Sequence, residues 1–190
     1  LDKALAGMYL FYWADNWLHE GYVAFQNAAA IVEDETILAR LLWRQAEFAA
    51  WLGQFDAAQS LYARSVTILR GSEARKELAM ALEANGRLYY WQGDYATAQQ
   101  KIEESLAIFR EVGDALGQAQ SLNSLANTLY EGSENHTAAM ELLEESLRIS
   151  QKSGDLFGIA KAIINQGATA QETGDLKRAQ QLFQQSLTLY

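Results

Sequence analysis

Between Ala79 and Ile108 the apolar and small side chains recur at steps of three and four. They fall first at Ala79, Leu82, Gly86, Tyr89 and Tyr90, then at Ala98, Ile102, Ser105, Leu106 and Ile108. Each set occupies one face of a helix. Gln92-Gly93-Asp94 interrupts the pattern between them: glycine supplies a left-handed C-cap, and aspartate caps the helix that follows. Val112-Gly113-Asp114 ends the second helix in the same way. The segment predicts two antiparallel helices joined by a tight turn.

The same pattern recurs along the chain. Gly53-Gln54-Phe55-Asp56-Ala57-Ala58, Gly93-Asp94-Tyr95-Ala96-Thr97-Ala98, Glu134-Asn135-His136-Thr137-Ala138-Ala139 and Gly174-Asp175-Leu176-Lys177-Arg178-Ala179 place Ala58, Ala98, Ala139 and Ala179 at spacings of 40, 41 and 40. Ala46, Gly86, Ala126 and Gly167 recur on the preceding helices, and Ser65, Ser105, Ser146 and Ser186 on the following ones. Small residues at these places let paired helices approach closely. The first repeat is divergent: Trp17 is expected in the aromatic place and Glu20 in the small place. A fixed period of this size predicts a solenoid of one supersecondary unit, with a continuous core between neighbouring repeats. The expected fold is all-α: a right-handed superhelical solenoid of five antiparallel helix pairs, the last truncated. The whole chain, 1–190, forms one domain, with repeats at about 1–34, 35–72, 73–113, 114–154 and 155–190. Both ends fall within the pattern, so a fragment of a longer array is expected.

Composition narrows the function. Hydrophobic residues make up 49% of the chain, enough to build a core, and there is no proline to break helices. The net charge is −9 and no basic run exceeds Arg75-Lys76, which argues against direct nucleic-acid binding. No apolar run approaches the roughly 18 residues of a membrane span, and Leu5 to Ala14 reads as a helix, not a signal peptide. With no cysteine, thiolate chemistry and disulfides are excluded; a cytoplasmic setting fits. His19 and His136 are the only histidines, one expected on a solvated face and the other packed in the aromatic place of its loop. Glu103-Glu104 and Glu144-Glu145 are helix neighbours that point apart. No metal site, nucleotide fingerprint or catalytic constellation emerges, so neither enzyme activity nor a cofactor is expected.

A small residue, six residues, Gly, any residue, an aromatic, two residues and Ala, as in Gly86 to Ala98, resembles the signature of the tetratricopeptide repeat. The linkers around Gly113-Asp114 and Gly154-Asp155 look like its 40-residue subclass. Phe11-Tyr12-Trp13, Trp17, Glu20-Gly21, Phe25 and Ala28 look like the start of the sensor regions of bacterial MalT-like regulators, of the STAND class of signalling ATPases. That resemblance implies an upstream nucleotide-binding switch domain, a role in transcription regulation, and a repeat array that detects an inducer: a protein, a peptide or a small molecule. A constitutive scaffold for protein assembly is the alternative. A GxxxxGK[ST] motif upstream would separate the two.

In arrays of this family the first helix of each pair lines a concave groove. Trp13, Trp51 and Trp91 stand just before successive loops, each preceded by Tyr12, Ala50 or Tyr90, and Tyr130 follows in the fourth repeat. Three tryptophans at one register predict an aromatic ladder. Trp43, Arg44, Glu47, Glu83, Arg87, Asn123 and Asn127 lie on the same faces. Trp, Tyr and Arg dominate binding hot spots, and Arg44 and Arg87 suit bidentate pairing with a carboxylate or phosphate. The later repeats carry Glu131, Gln171 and Glu172 where the aromatics would be, so recognition is expected in the first three repeats.

Overall fold

The computed structural model describes residues 2–14, 16–133 and 135–188. These residues form ten α-helices and no strand. They are α1 (Asp2–Ala14), α2 (Leu18–Ile31), α3 (Glu35–Trp51), α4 (Phe55–Arg70), α5 (Arg75–Trp91), α6 (Tyr95–Glu111), α7 (Ala115–Ser133), α8 (His136–Ser153), α9 (Leu156–Glu172) and α10 (Leu176–Leu187). They group into two compact units, Leu1–Leu88 and Tyr89–Tyr190, with the boundary inside α5.

Loop chemistry sets the helix ends. Gly53, Gly93, Gly113, Gly154 and Gly174 all have positive φ, between 71° and 84°, the left-handed conformation that ends a helix and turns the chain. The side chains of Asp34, Asp94, Asn135 and Asp175 each accept a hydrogen bond from the backbone N–H three residues on, capping α3, α6, α8 and α10.

In the N-terminal unit α2 packs on α3 and α3 on α4. The core centres on Leu5, Phe25, Leu41 and Phe48, with Met8, Tyr9, Tyr12, Trp13, Leu18 and Tyr22 packed around it. Ala46 and Ala58 are fully buried at the expected close approach. Ser65 does more than fit: its hydroxyl donates to the Ala39 carbonyl at 2.7 Å, stitching α4 to α3.

The first repeat corrects the predicted register by one residue. Trp17 is the residue before α2, as Gln54 is before α4, so Leu18 and not Trp17 stands where Phe55 stands. Gly21, not Glu20, takes the small place: its N–H bonds the Trp17 carbonyl just as that of Ala58 bonds the Gln54 carbonyl. Gly21 is buried against the Phe48 ring, while Glu20 and Trp17 are exposed. The turn residue is Asn16, with φ 56°, in place of the usual glycine. Asparagine is among the few side chains that accept this conformation.

In the C-terminal unit α6 packs on α7, α7 on α8, α8 on α9 and α9 on α10, and α7 also touches α9. Its core includes a cluster of Ala98, Ile102, Leu106, Leu122 and Leu125 and another of Ala126, Ala139 and Leu143. Ser146 repeats the bond of Ser65, donating to the Ala119 carbonyl at 2.9 Å. A Cβ on Gly167 would stand 2.7 Å from the Phe183 ring, so glycine is what lets α9 and α10 meet there.

Candidate recognition face

On α3, Arg40, Trp43, Arg44, Glu47 and Trp51 fall at i, i+3, i+4, i+7 and i+11 and share a face. Glu77, Glu83 and Arg87 come from α5. Helix spacing alone brings these groups together, and burial decides how they pair. Trp43 and Arg44 are each 4% exposed, and Glu47 6%. The Trp43 indole N–H donates to Glu77 Oε2 at 2.9 Å, and the Arg44 guanidinium lies 4.2 Å from the centroid of the Trp43 ring. Glu77 Oε1 also faces Arg44 at 3.6 Å and Arg40 at 3.9 Å.

One carboxylate ties three helices of this unit. Glu47 Oε2 accepts from the Tyr9 hydroxyl of α1 at 2.6 Å, and Glu47 Oε1 accepts from Arg87 of α5. Arg87 Nε also faces Glu83 Oε2 at 3.3 Å. Burial alone would lower the pKa of Arg87, but Glu83 and Glu47 outweigh it and raise the value above that of a free arginine. Burial, then the Glu47 charge and hydrogen bond, raise the Tyr9 phenol well above its ordinary value. Arg44 is lowered, chiefly by burial, against the pull of Glu77. Arg44 and Arg87, singled out as ion-pairing groups for a partner, thus both have internal carboxylates.

Above this charged layer lies an aromatic one. Trp13 and Trp51 meet edge to face, with ring centroids 5.0 Å apart and planes at 74°. Tyr9 stacks on Trp13 at 5.9 Å, and Phe48 supports both. Trp51 is 49% exposed. Trp13 and Tyr12 are half-buried at the edge of the core. The predicted residues of this unit therefore divide: Trp43, Arg44 and Glu47 build the base, while Trp13 and Trp51 present rings.

In the C-terminal unit, Trp91 is 40% exposed at the end of α5. Tyr90 is half-buried and packs 5.8 Å from Tyr95. Tyr130 packs 4.9 Å from His136, the partial packing expected of that histidine. Burial first, then nearby Glu131, raises the pKa of Tyr90; burial, Glu172 and Glu131 raise that of Tyr130. Asn127 is half-buried, whereas Asn123 is fully buried, donating to Ser146 Oγ at 2.6 Å and accepting from Asn165 at 3.3 Å.

Sequence reasoning did not select Tyr9, Arg40 or Glu77. A signal existed for the pairing. Glu47 and Arg87 are 40 residues apart, one repeat, so opposite charges occupy the same register of successive first helices.

Among the described residues no group of three or more acidic, histidine or cysteine side chains is arranged to hold a metal ion, and no helix is long and apolar enough to cross a membrane.

The repeat geometry defines the class, and comparison with known proteins gives the family. A tetratricopeptide repeat model matches residues 77–152 and 129–190, and the chain belongs to that family. It is thus a repeat domain of a protein-binding type. No curated protein matches the chain. Solved structures share its fold at low identity. BtubC (BKLC) from P. vanneervenii is 16% identical with a TM-score of 0.78, covering 100% of this chain and 79% of its own. A STAND protein with a tetratricopeptide repeat sensor from Pyrococcus horikoshii is 13% identical with a TM-score of 0.81, covering 98% and 29%. The Rap conjugation gene regulator of the plasmid pLS20, in complex with the Phr* peptide, is 15% identical with a TM-score of 0.71, covering 83% and 46%.

Proposed function

We propose that this array is the recognition segment of a bacterial signalling protein of the STAND class. It takes a peptide or protein segment as inducer on the face carried by Tyr12, Trp13 and Trp51 of the N-terminal unit; Tyr90, Trp91, Asn127 and Tyr130 are contact candidates of the C-terminal unit by itself. The observation that carries the reading is the Trp13–Trp51 pair. Two large rings are held in a fixed edge-to-face arrangement by a buried aromatic layer, yet Trp51 keeps about half its surface in water. Rigid, half-exposed tryptophan offers a large contact at little entropic cost and is typical of hot spots. The peptide-bound Rap regulator and the STAND sensor support the choice of ligand and of context.

The charged layer sets terms for a ligand. Arg44, Arg87 and Arg40 face Glu77, Glu47 and Glu83, so an anionic group reaching them must compete with a carboxylate already in place. Apolar and aromatic side chains meet no such competition at Trp51. In the full-length protein binding would bias an upstream nucleotide switch through differential affinity for its two states. The segment's work is recognition, not turnover, in the cytoplasm, without a cofactor and without direct contact to nucleic acid or membrane.

The test is selection from a random peptide library displayed on phage, against the parent protein and against Trp51→Ala. The reading expects aromatic-rich peptides whose affinity falls at least about tenfold, or roughly 1.4 kcal/mol, with Trp51→Ala. Selected peptides that bind both proteins equally would overturn it.

A further inference from the structure

The contact between α1 and α3 has two rungs. On α1, Tyr9 and Trp13 are four residues apart and share a face; on α3, Glu47 and Trp51 are likewise four apart and share a face. The lower rung is polar: the Tyr9 hydroxyl donates to Glu47 Oε2 at 2.6 Å. The upper rung is aromatic: Trp13 meets Trp51 edge to face at 5.0 Å. Tyr9 joins the two, because its ring lies nearly parallel to that of Trp13, at 14° and 5.9 Å.

The lower rung matters because α1 is thinly held. Among its described residues only Leu5 is buried, whereas α3 buries eleven. Lys3, Ala4, Gly7, Leu10, Phe11 and Ala14 of α1 face water. Ring contacts tolerate sliding and rotation over a broad range of geometries, but a hydrogen bond fixes both a length and a direction. A hydroxyl on a carboxylate at this distance is of the short, charge-assisted kind. Its acceptor is itself pinned: Glu47 is 6% exposed, and its other oxygen accepts from Arg87. Arg87 thus holds Glu47, Glu47 holds Tyr9, and Tyr9 sets where α1 lays Trp13 against Trp51. We infer, on the reading of that ring pair as the recognition surface, that Tyr9 is its positioning residue: the hydroxyl bond to Glu47 sets the geometry of Trp13 and Trp51. The buried charged layer then governs affinity at the aromatic face without touching the ligand.

The test is fluorine NMR of the protein carrying 5-fluorotryptophan at its five tryptophans, each resonance assigned by its Trp→Phe variant. Trp51 is the reporter, since its fluorine feels the ring current of Trp13. Tyr9→Phe keeps the ring and removes the bond; it should shift or broaden the Trp51 resonance and leave that of Trp91 in place. Hydrogen exchange should rise across α1 and stay at the parent level in α4. Ser65→Ala is the control for a general loss of stability. It weakens the α3–α4 contact at Ala39, about three helical turns from Trp51, and should leave the Trp51 resonance where it is. With the tightest peptide selected on the parent protein as probe, Tyr9→Phe should weaken binding about three- to tenfold at a temperature where the variant is folded. Three results overturn the inference: a Trp51 resonance unmoved by Tyr9→Phe, one moved as far by Ser65→Ala, or a peptide affinity that falls with Trp51→Ala and not with Tyr9→Phe. A peptide affinity indifferent to Trp51→Ala refutes the proposed function instead, and the fluorine spectra still decide what Tyr9 does to the ring pair.

Discussion

Gly21→Ala adds one methyl group to the first repeat, and the structure says where it goes. The new Cβ would stand 2.6, 2.7 and 2.9 Å from Cε1, Cζ and Cδ1 of Phe48, well inside contact distance. A flexible side chain could move away, but this ring cannot do so easily. It is fully buried, with the rings of Tyr9, Phe25 and Trp13 at centroid distances of 5.4, 5.7 and 6.1 Å. Two effects compete. Alanine is the better helix former by up to about 1 kcal/mol. Overpacking a filled core costs about 1–3 kcal/mol, and a ring enclosed on three sides places this case toward the upper end. Overpacking wins, leaving a net loss of about 1–2 kcal/mol, or a fall in Tm of roughly 2–8 °C for a chain of this size. Urea denaturation followed by circular dichroism measures the difference. Phe48→Leu is itself destabilising, but combined with Gly21→Ala it should cost less than the sum of the two single changes, because the double variant removes the atoms that collide. A Gly21→Ala protein as stable as the parent, or more so, would refute the reasoning and the register assigned to the first repeat.

Other substitutions read different layers. Ser65→Ala leaves the buried Ala39 carbonyl without its 2.7 Å donor and should cost about 1 kcal/mol by urea denaturation. Arg87→Met takes the arginine from Glu47 and Glu83 in the buried layer and should cost about 3 kcal/mol, whereas Arg64→Met, on an exposed side chain, should change stability little. Stability should fall as the pH rises above about 10. The folded-state pKa of Tyr9 is raised, so its contribution is fully present below the unfolded value and is lost as pH climbs toward the folded one. Tyr9→Phe should flatten part of that alkaline slope in pH-dependent melting curves.

The repeat itself was legible because its constraints are local. Ala58, Ala98, Ala139 and Ala179 must be small, and Gly53, Gly93 and Gly174 must turn, whatever surrounds them. The first repeat misled because Asn16 does the work of a glycine and a tryptophan happens to follow it, which shifted the apparent register by one. The charged layer was harder to see. Arg44 and Arg87 look like free binding groups until the helices are placed, because their partners Glu77, Glu47 and Glu83 lie up to 40 residues away. Tyr9 was passed over because its role depends on α1 docking beside α3, and no periodicity within α1 encodes that.

Acrylamide quenching of tryptophan fluorescence tests the central claim most directly: the aromatic face is open and its charged base is closed. Trp51 is 49% exposed and Trp43 only 4%, with its indole N–H bound to Glu77. The comparison is between the parent, Trp51→Phe and Trp43→Phe. Trp17 and Trp91 are exposed as well and supply a constant background. The account predicts that Trp51→Phe removes part of the quenchable emission, while Trp43→Phe leaves it intact and lowers stability. Quenchable emission unchanged by Trp51→Phe, or lost with Trp43→Phe in a folded protein, would contradict it.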